Sequence, residues 1–134
     1  LDPIFSSFDE KMDFSLDRCL SWDEVKTMKE GGMHFGSHGC SHSSLIQLSD
    51  KEIEKEILDS KRILEEELSD ECMFFALPFG SQTDFNQRIL KKVQDLGYLR
   101  CLLNIRNNNL IDSNEFSLWR KYITSSFDLD HICG

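Results

Sequence analysis

The sequence predicts an α/β fold in which parallel strands alternate with helices. Two stretches open on a capping box and continue with apolar residues at helical spacing. In the first, Ser21-Trp22-Asp23-Glu24 opens a stripe of Trp22, Val25 and Met28; in the second, Ser49-Asp50-Lys51-Glu52 leads to Ile53, Ile57, Leu64 and Leu68. The run Cys72-Met73-Phe74-Phe75-Ala76-Leu77 is continuously apolar, the pattern of a strand covered on both faces. The elements follow one another as helix, strand, helix, strand, helix, strand, loop, strand. Repeated βα units imply parallel strands joined by right-handed crossovers.

In order, residues 1–20 carry Phe5, Phe8 and Phe14 without a clean period, so an irregular docked segment with one short helix is expected; Asp9 and Asp13 are read as surface residues. The first helix is capped by Ser21 and stopped by Gly31-Gly32, and Met33–Ser37 reads as a short strand. The longest helix spans Asp50 to Leu68, its Lys and Glu residues forming a solvated face. The strand at Cys72–Leu77 ends at Pro78-Phe79-Gly80. Thr83 or Asp84 is expected to cap a third helix that buries Phe85, Ile89, Val93 and Leu96 and stops at Gly97. Tyr98–Leu103 is the next strand, residues 104–115 an exposed Asn-rich loop, and Phe116–Thr124 a last strand.

The chain of 134 residues, 40% hydrophobic, suits a single domain over residues 1–134. Its net charge of −9 argues against nucleic acid or an anionic membrane as the main partner, because both need clustered Lys and Arg. No apolar run is long enough to span a bilayer, and no basic-then-apolar leader is visible. The chain starts at Leu1 rather than Met, so an excised or processed piece is expected. Cys19, Cys40, Cys72, Cys101 and Cys133 are odd in number and show no Cys-x2-Cys pairing; a disulfide framework is not expected, and Cys72 and Cys101 read as buried thiols. Localisation and oligomeric state are not legible.

The chemistry concentrates in Gly36-Ser37-His38-Gly39-Cys40-Ser41-His42. His34, His38 and His42 are spaced by four, which on a helix would align three imidazoles, but the glycines in and beside the run weaken any helix by roughly 1 kcal/mol each. A strand ending in a loop fits better, with His34 a structural strand residue and His38 and His42 on the loop. Two neutral imidazoles can hold a divalent metal such as zinc if a third ligand comes from elsewhere. Cys40 lies between them, so a structural His-Cys-His site is an open alternative. In a parallel sheet, functional groups gather where strand carboxyl ends meet their loops. That places the histidine loop and Pro78-Phe79-Gly80 on one rim.

These residues resemble the polysaccharide deacetylases, the NodB-homology or carbohydrate esterase 4 domain. The resemblance rests on Leu20-Ser21-Trp22-Asp23-Glu24-Val25 before Gly36-Ser37-His38-x-x-x-His42, on Ala76-Leu77-Pro78-Phe79-Gly80, and on Leu118-Trp119-Arg120, and it spans about residues 20 to 124. It implies a partial or distorted (β/α) barrel. It assigns His38 and His42 as metal ligands, most simply to zinc. The backbone N–H of Phe79 becomes an oxyanion donor, and Arg120 a residue that orients the acid/base network. The implied reaction removes acetyl groups from N-acetylated sugars of an oligo- or polysaccharide. A metal polarises the acetyl carbonyl and activates water, a carboxylate serves as base, and an acid protonates the leaving amine.

One departure bears on activity. The family's Phe-Asp-Asp-Gly motif, source of the third ligand and the general base, lies farther upstream of the histidines than the 37 residues preceding His38 allow. Ser7-Phe8-Asp9-Glu10 echoes it without the second Asp or the Gly. The first βα unit or units are therefore expected to be missing, and the chain to be weak or inactive by itself. Nor is the family's late Leu-x-His motif evident; His131 reads as a surface residue. The alternatives are a non-catalytic carbohydrate-binding or interaction module derived from the same fold, and a purely structural zinc module.

Overall fold

The computed structural model describes residues 19–105 and 116–120. The expected early segment with Phe5, Phe8 and Phe14, the loop beyond Ile105, the strand beyond Arg120, His131 and Cys133 lie outside the described residues. Two compact units divide between Gly32 and Met33.

In the first unit, helix α1 (Trp22–Glu30) forms where the capping box predicts it. Ser21 N–H donates to Glu24 Oε2 at 2.8 Å, and Glu24 N–H donates back to Ser21 Oγ at 3.4 Å. Asp23 and Glu24 in the first turn and Lys29 in the last complement the helix dipole. Of the expected stripe, Val25 is buried and Met28 half-buried, whereas Trp22 is largely exposed. The Gly31 N–H closes the helix onto Thr27 O at 3.0 Å.

The second unit runs through a 3-10 turn (Leu45–Gln47), α2 (Asp50–Leu68), β1 (Phe74–Ala76), α3 (Gln87–Asp95), β2 (Arg100–Leu103) and β3 (Ser117–Trp119). The strands form one sheet in the order β1-β2-β3, parallel throughout, with Phe75 opposite Cys101 and Cys101 opposite Ser117. The predicted α/β alternation is therefore present. Residues paired this way share a face, and on that face Phe75, Cys101 and Leu103 meet Ile53 and Ile57 of α2 and Ile89 and Val93 of α3, all at most 1% exposed. Each such burial is worth roughly 2 kcal/mol. Tyr98, at the entry to β2, ties the layers together. Its hydroxyl donates to Ile57 O at 3.1 Å, its ring lies 5.3 Å from that of Phe75, and Lys61 Nζ sits 4.5 Å above it while donating to Cys72 O at 2.7 Å.

Several expectations need correction. The strand at Met33–Ser37 reduces to one parallel bridge between Ser37 and Phe75, because only Ser37 exchanges hydrogen bonds with β1, through Ser37 N–H to Phe74 O (2.9 Å) and Ala76 N–H to Ser37 O (2.8 Å). Gly36 permits that approach, since a Cβ there would stand 2.8 Å from Phe74 O. β1 is covered fully on one face only: Phe75 and Leu77 are buried, whereas Phe74 and Ala76 are half-buried. Neither Thr83 nor Asp84 caps α3. Asp84 instead accepts from the Ser81 N–H at 2.9 Å, closing a turn, and Asn86 Oδ1 receives the Ile89 N–H at 3.1 Å as the cap. Phe85 accordingly precedes the helix.

Candidate metal and catalytic site

Because all three strands run parallel, their carboxyl ends open onto one edge, which carries Pro78–Gly80 after β1, Asn104 after β2 and Arg120 after β3. The Ser37 bridge delivers His38 to the same edge. His38 Nδ1 lies 2.7 Å from Ala76 O. A carbonyl only accepts, so the contact places a proton on Nδ1, which in the neutral ring leaves the lone pair on Nε2. His42 adopts a left-handed backbone, φ +56°, and its ring centroid lies 4.8 Å from those of both His38 and Phe79, edge-on to each.

Phe79 is the middle of a three-residue γ-turn closed by Gly80 N–H to Pro78 O at 2.7 Å, at φ +60°, the strained form of that turn. Asn104 holds the loop in place, its N–H donating to Gly80 O at 2.8 Å and its Nδ2 to Phe79 O at 3.2 Å. The Phe79 N–H makes no hydrogen bond to another described residue. Beside it, Ser81, Gln82, Thr83, Asn104 and Ile105 line an open cavity of about 380 Å³.

The histidine loop is fastened to α2 by a residue that sequence reading missed. Glu56 Oε2 accepts from the N–H groups of Cys40 and Ser41, both at 2.9 Å, and Oε1 accepts from the Ser41 hydroxyl at 2.8 Å. Partial burial pushes the Glu56 carboxyl up, but these hydrogen bonds and nearby Lys55 outweigh it and hold it below the usual carboxylate range. By composition Glu56 reads as one of the solvated charges of the helix. The available signal was its place beside Ile57, on the flank of the buried stripe.

The other candidates fall as follows. The Cys40 thiol turns toward α2, with Sγ 3.7 Å from Glu56 O, and burial followed by the charges of Glu56 and Asp59 pushes its pKa up. His34 is exposed rather than set in a strand. Among the described residues no three of His, Cys, Asp and Glu come together as a metal cluster, so the His-Cys-His alternative is not assembled and His34 does not join the pair. The backbone N–H of Arg120 donates to Leu103 O at 2.8 Å, placing the residue at the carboxyl end of the sheet. Its charge is felt at Cys101, where burial nonetheless raises the thiol to about 12. Cys40, Cys72 and Cys101 are free thiols, with Cys72 and Cys101 buried as expected.

The carboxyl edge of this parallel sheet thus carries two loop histidines and a proline-glycine turn. The profile of the polysaccharide deacetylase family matches residues 6–100, and the chain belongs to that family. Leu118-Trp119-Arg120 lies beyond the matched residues. A search of curated proteins finds no match. Among solved structures, the chain is similar to the Streptococcus pyogenes deacetylase PplD in complex with acetate, at 26% identity and a TM-score of 0.77, over 84% of this chain and 49% of that one. A de-N-acetylase from Aggregatibacter actinomycetemcomitans shares the fold at 14% identity and a TM-score of 0.68, over 84% of this chain and 52% of that one. A polysaccharide deacetylase from Bacillus cereus does so at 19% identity and a TM-score of 0.65, over 78% and 33%. The chain thus spans about half the length of PplD, and the NodB-type fold is present as part of a domain. The family generally uses a divalent metal and acts on polysaccharides. No helix among the described residues is long and apolar enough to cross a membrane.

Proposed function

We propose that this chain carries the histidine side of a metal-dependent centre that removes acetyl groups from N-acetylated sugars of an oligo- or polysaccharide. The observation that carries the reading is the cluster of His38, His42 and Phe79 on one strand edge, with ring centroids 4.8 Å apart in succession. The donor set fits a zinc ion: two imidazoles, one of them oriented through Nδ1 by the Ala76 carbonyl, the arrangement that fixes metal-ligating histidines elsewhere. His38 and His42 would hold the metal, which when bound supplies Lewis-acid polarisation of the acetyl carbonyl and a lowered pKa for water.

Two further groups of the chain contribute on the same edge. The Phe79 N–H is preorganised by the γ-turn and by Asn104, so it can donate to an oxyanion without rearrangement; one such donor is worth roughly 3 kcal/mol. Arg120 places a positive charge on the same edge, where it can orient a neighbouring carboxylate. The cavity beside Phe79, bordered by Ser81, Thr83 and Asn104, is open enough to take a sugar flanking the acetylated one. That the PplD structure holds acetate, the product of deacetylation, supports the reaction class.

No described residue joins the histidines as an acidic third ligand, and the sequence has no Asp-Asp motif. Turnover by this chain alone is therefore proposed to be weak or absent. The same observation favours a second reading, a non-catalytic carbohydrate-binding or interaction module. Acetate release from N-acetylglucosamine oligomers with added zinc, alongside oligomer binding, separates them. Slow release abolished by His42→Ala supports the enzyme, and binding without any release supports the module. Robust release lost in His42→Ala overturns the claim of weak activity.

A further inference from the structure

We propose that Glu56 is the positioning residue of the histidine loop, acting on metal affinity without touching either imidazole; this rests on His38 and His42 being ligands. Three donors of the Gly39–Ser41 segment end on this one carboxylate, the Cys40 N–H, the Ser41 N–H and the Ser41 hydroxyl, whereas the Gly39 N–H reaches only Ser37 Oγ, at 3.4 Å. These are charge-assisted bonds, about twice as strong as neutral ones. The carboxylate is itself held in place, because its neighbour Ile57 is 0% exposed and Ile53, one turn earlier, 1%.

The loop needs such an anchor. His42 sits in left-handed backbone at φ +56°, a conformation that is costly for a residue with a side chain, whereas Gly39 at φ +82° makes its turn without that cost. Gly39 also packs against the carboxylate, a Cβ there standing 3.3 Å from Glu56 Oε2. With the Ala76 carbonyl orienting His38 at one end and Glu56 gripping the middle, the two imidazoles are held 4.8 Å apart before any metal arrives. Replacing Glu56 by Ala releases three donors and lets the separation of the imidazoles vary.

The test uses the full chain, zinc titration by calorimetry, and amide hydrogen exchange without metal. Glu56→Ala is expected to weaken zinc binding on the order of 10-fold or more, the usual cost of losing an outer-shell support. Exchange at the Cys40 and Ser41 amides should accelerate. Glu56→Gln, whose amide oxygen can still accept both backbone N–H groups, should recover affinity close to wild type, a rescue that a general loss of charge does not produce. Glu56→Asp keeps the charge but falls short of the loop, and carries the test if the alanine variant does not fold; it too should bind zinc more weakly. Wild-type affinity in Glu56→Ala or Glu56→Asp, with binding lost in His42→Ala, overturns the proposal alone. No zinc binding by the wild-type chain, or equal binding by His42→Ala, overturns the metal reading and this proposal with it.

Discussion

His38 Nδ1 lies 2.7 Å from the carbonyl oxygen of Ala76, the last residue of β1. A sheet carbonyl thereby fixes the tautomer of a loop side chain 38 positions earlier in the chain. In the metal-free protein the neutral His38 ring should carry its proton on Nδ1 and be bare on Nε2, read from two-bond nitrogen–proton correlations. The opposite tautomer would mean that the ring is not oriented for ligation through Nε2.

Gly36 is where the backbone must come close to β1. Gly36→Ala puts a Cβ 2.8 Å from Phe74 O and 3.1 Å from Phe74 Cβ, backbone and side-chain base that cannot swing away. A loss of about 2 kcal/mol is expected, seen as a lower urea midpoint with unchanged slope. An unchanged midpoint would show that the Ser37 bridge is not fixed as described.

Glu56 gives the loop an acid limit. Its folded pKa lies below the ordinary 4.5 despite partial burial, because Ser41 and Cys40 donate to it and Lys55 lies near. Its contribution is therefore fully present above about pH 4.5 and lost as pH falls through the lower folded value. The amide shifts of Cys40 and Ser41 should titrate together, with a midpoint below 4.5. A midpoint above that value would contradict the anchoring.

The core sets an alkaline limit with the opposite sign. Burial raises Cys101 from 9.0 to about 12, against the lowering pull of Arg120, and burial also raises Tyr98. The unfolded chain ionises these groups first. Stability is therefore intact below about pH 9 and declines toward pH 12, by roughly 1 kcal/mol per pH unit for each group once it titrates in the unfolded chain. Cys101→Ala should flatten part of that decline in urea midpoints measured across the range, whereas a decline of unchanged slope would mean that Cys101 ionises alike in both states.

Much of the second unit was legible because its signals are local. Ser49 and Glu52 cap α2, Ile53 and Ile57 mark its buried face, and the apolar run before Pro78 marks β1. The cap of α3 was misplaced because Asp84, a good cap by type, is engaged by Ser81, and Asn86 takes over. Met33–Ser37 has strand composition, but ladder formation depends on which backbone lies alongside, and only Ser37 meets β1. His38, His42 and Phe79 came together on one rim as parallel topology requires. Glu56 was missed because its three bonds cross 15 or 16 residues and sequence spacing does not encode them; its place on the flank of the buried stripe was the one local signal.

The central claim is that His38 and His42 act on one metal ion. Cobalt(II) titrated into the full chain, followed by its visible absorption and then displaced by zinc, tests this most directly. The account predicts a saturable band for the wild-type chain, lost in His38→Ala and in His42→Ala while both variants keep the metal-free fold. A wild-type band in either variant would contradict it.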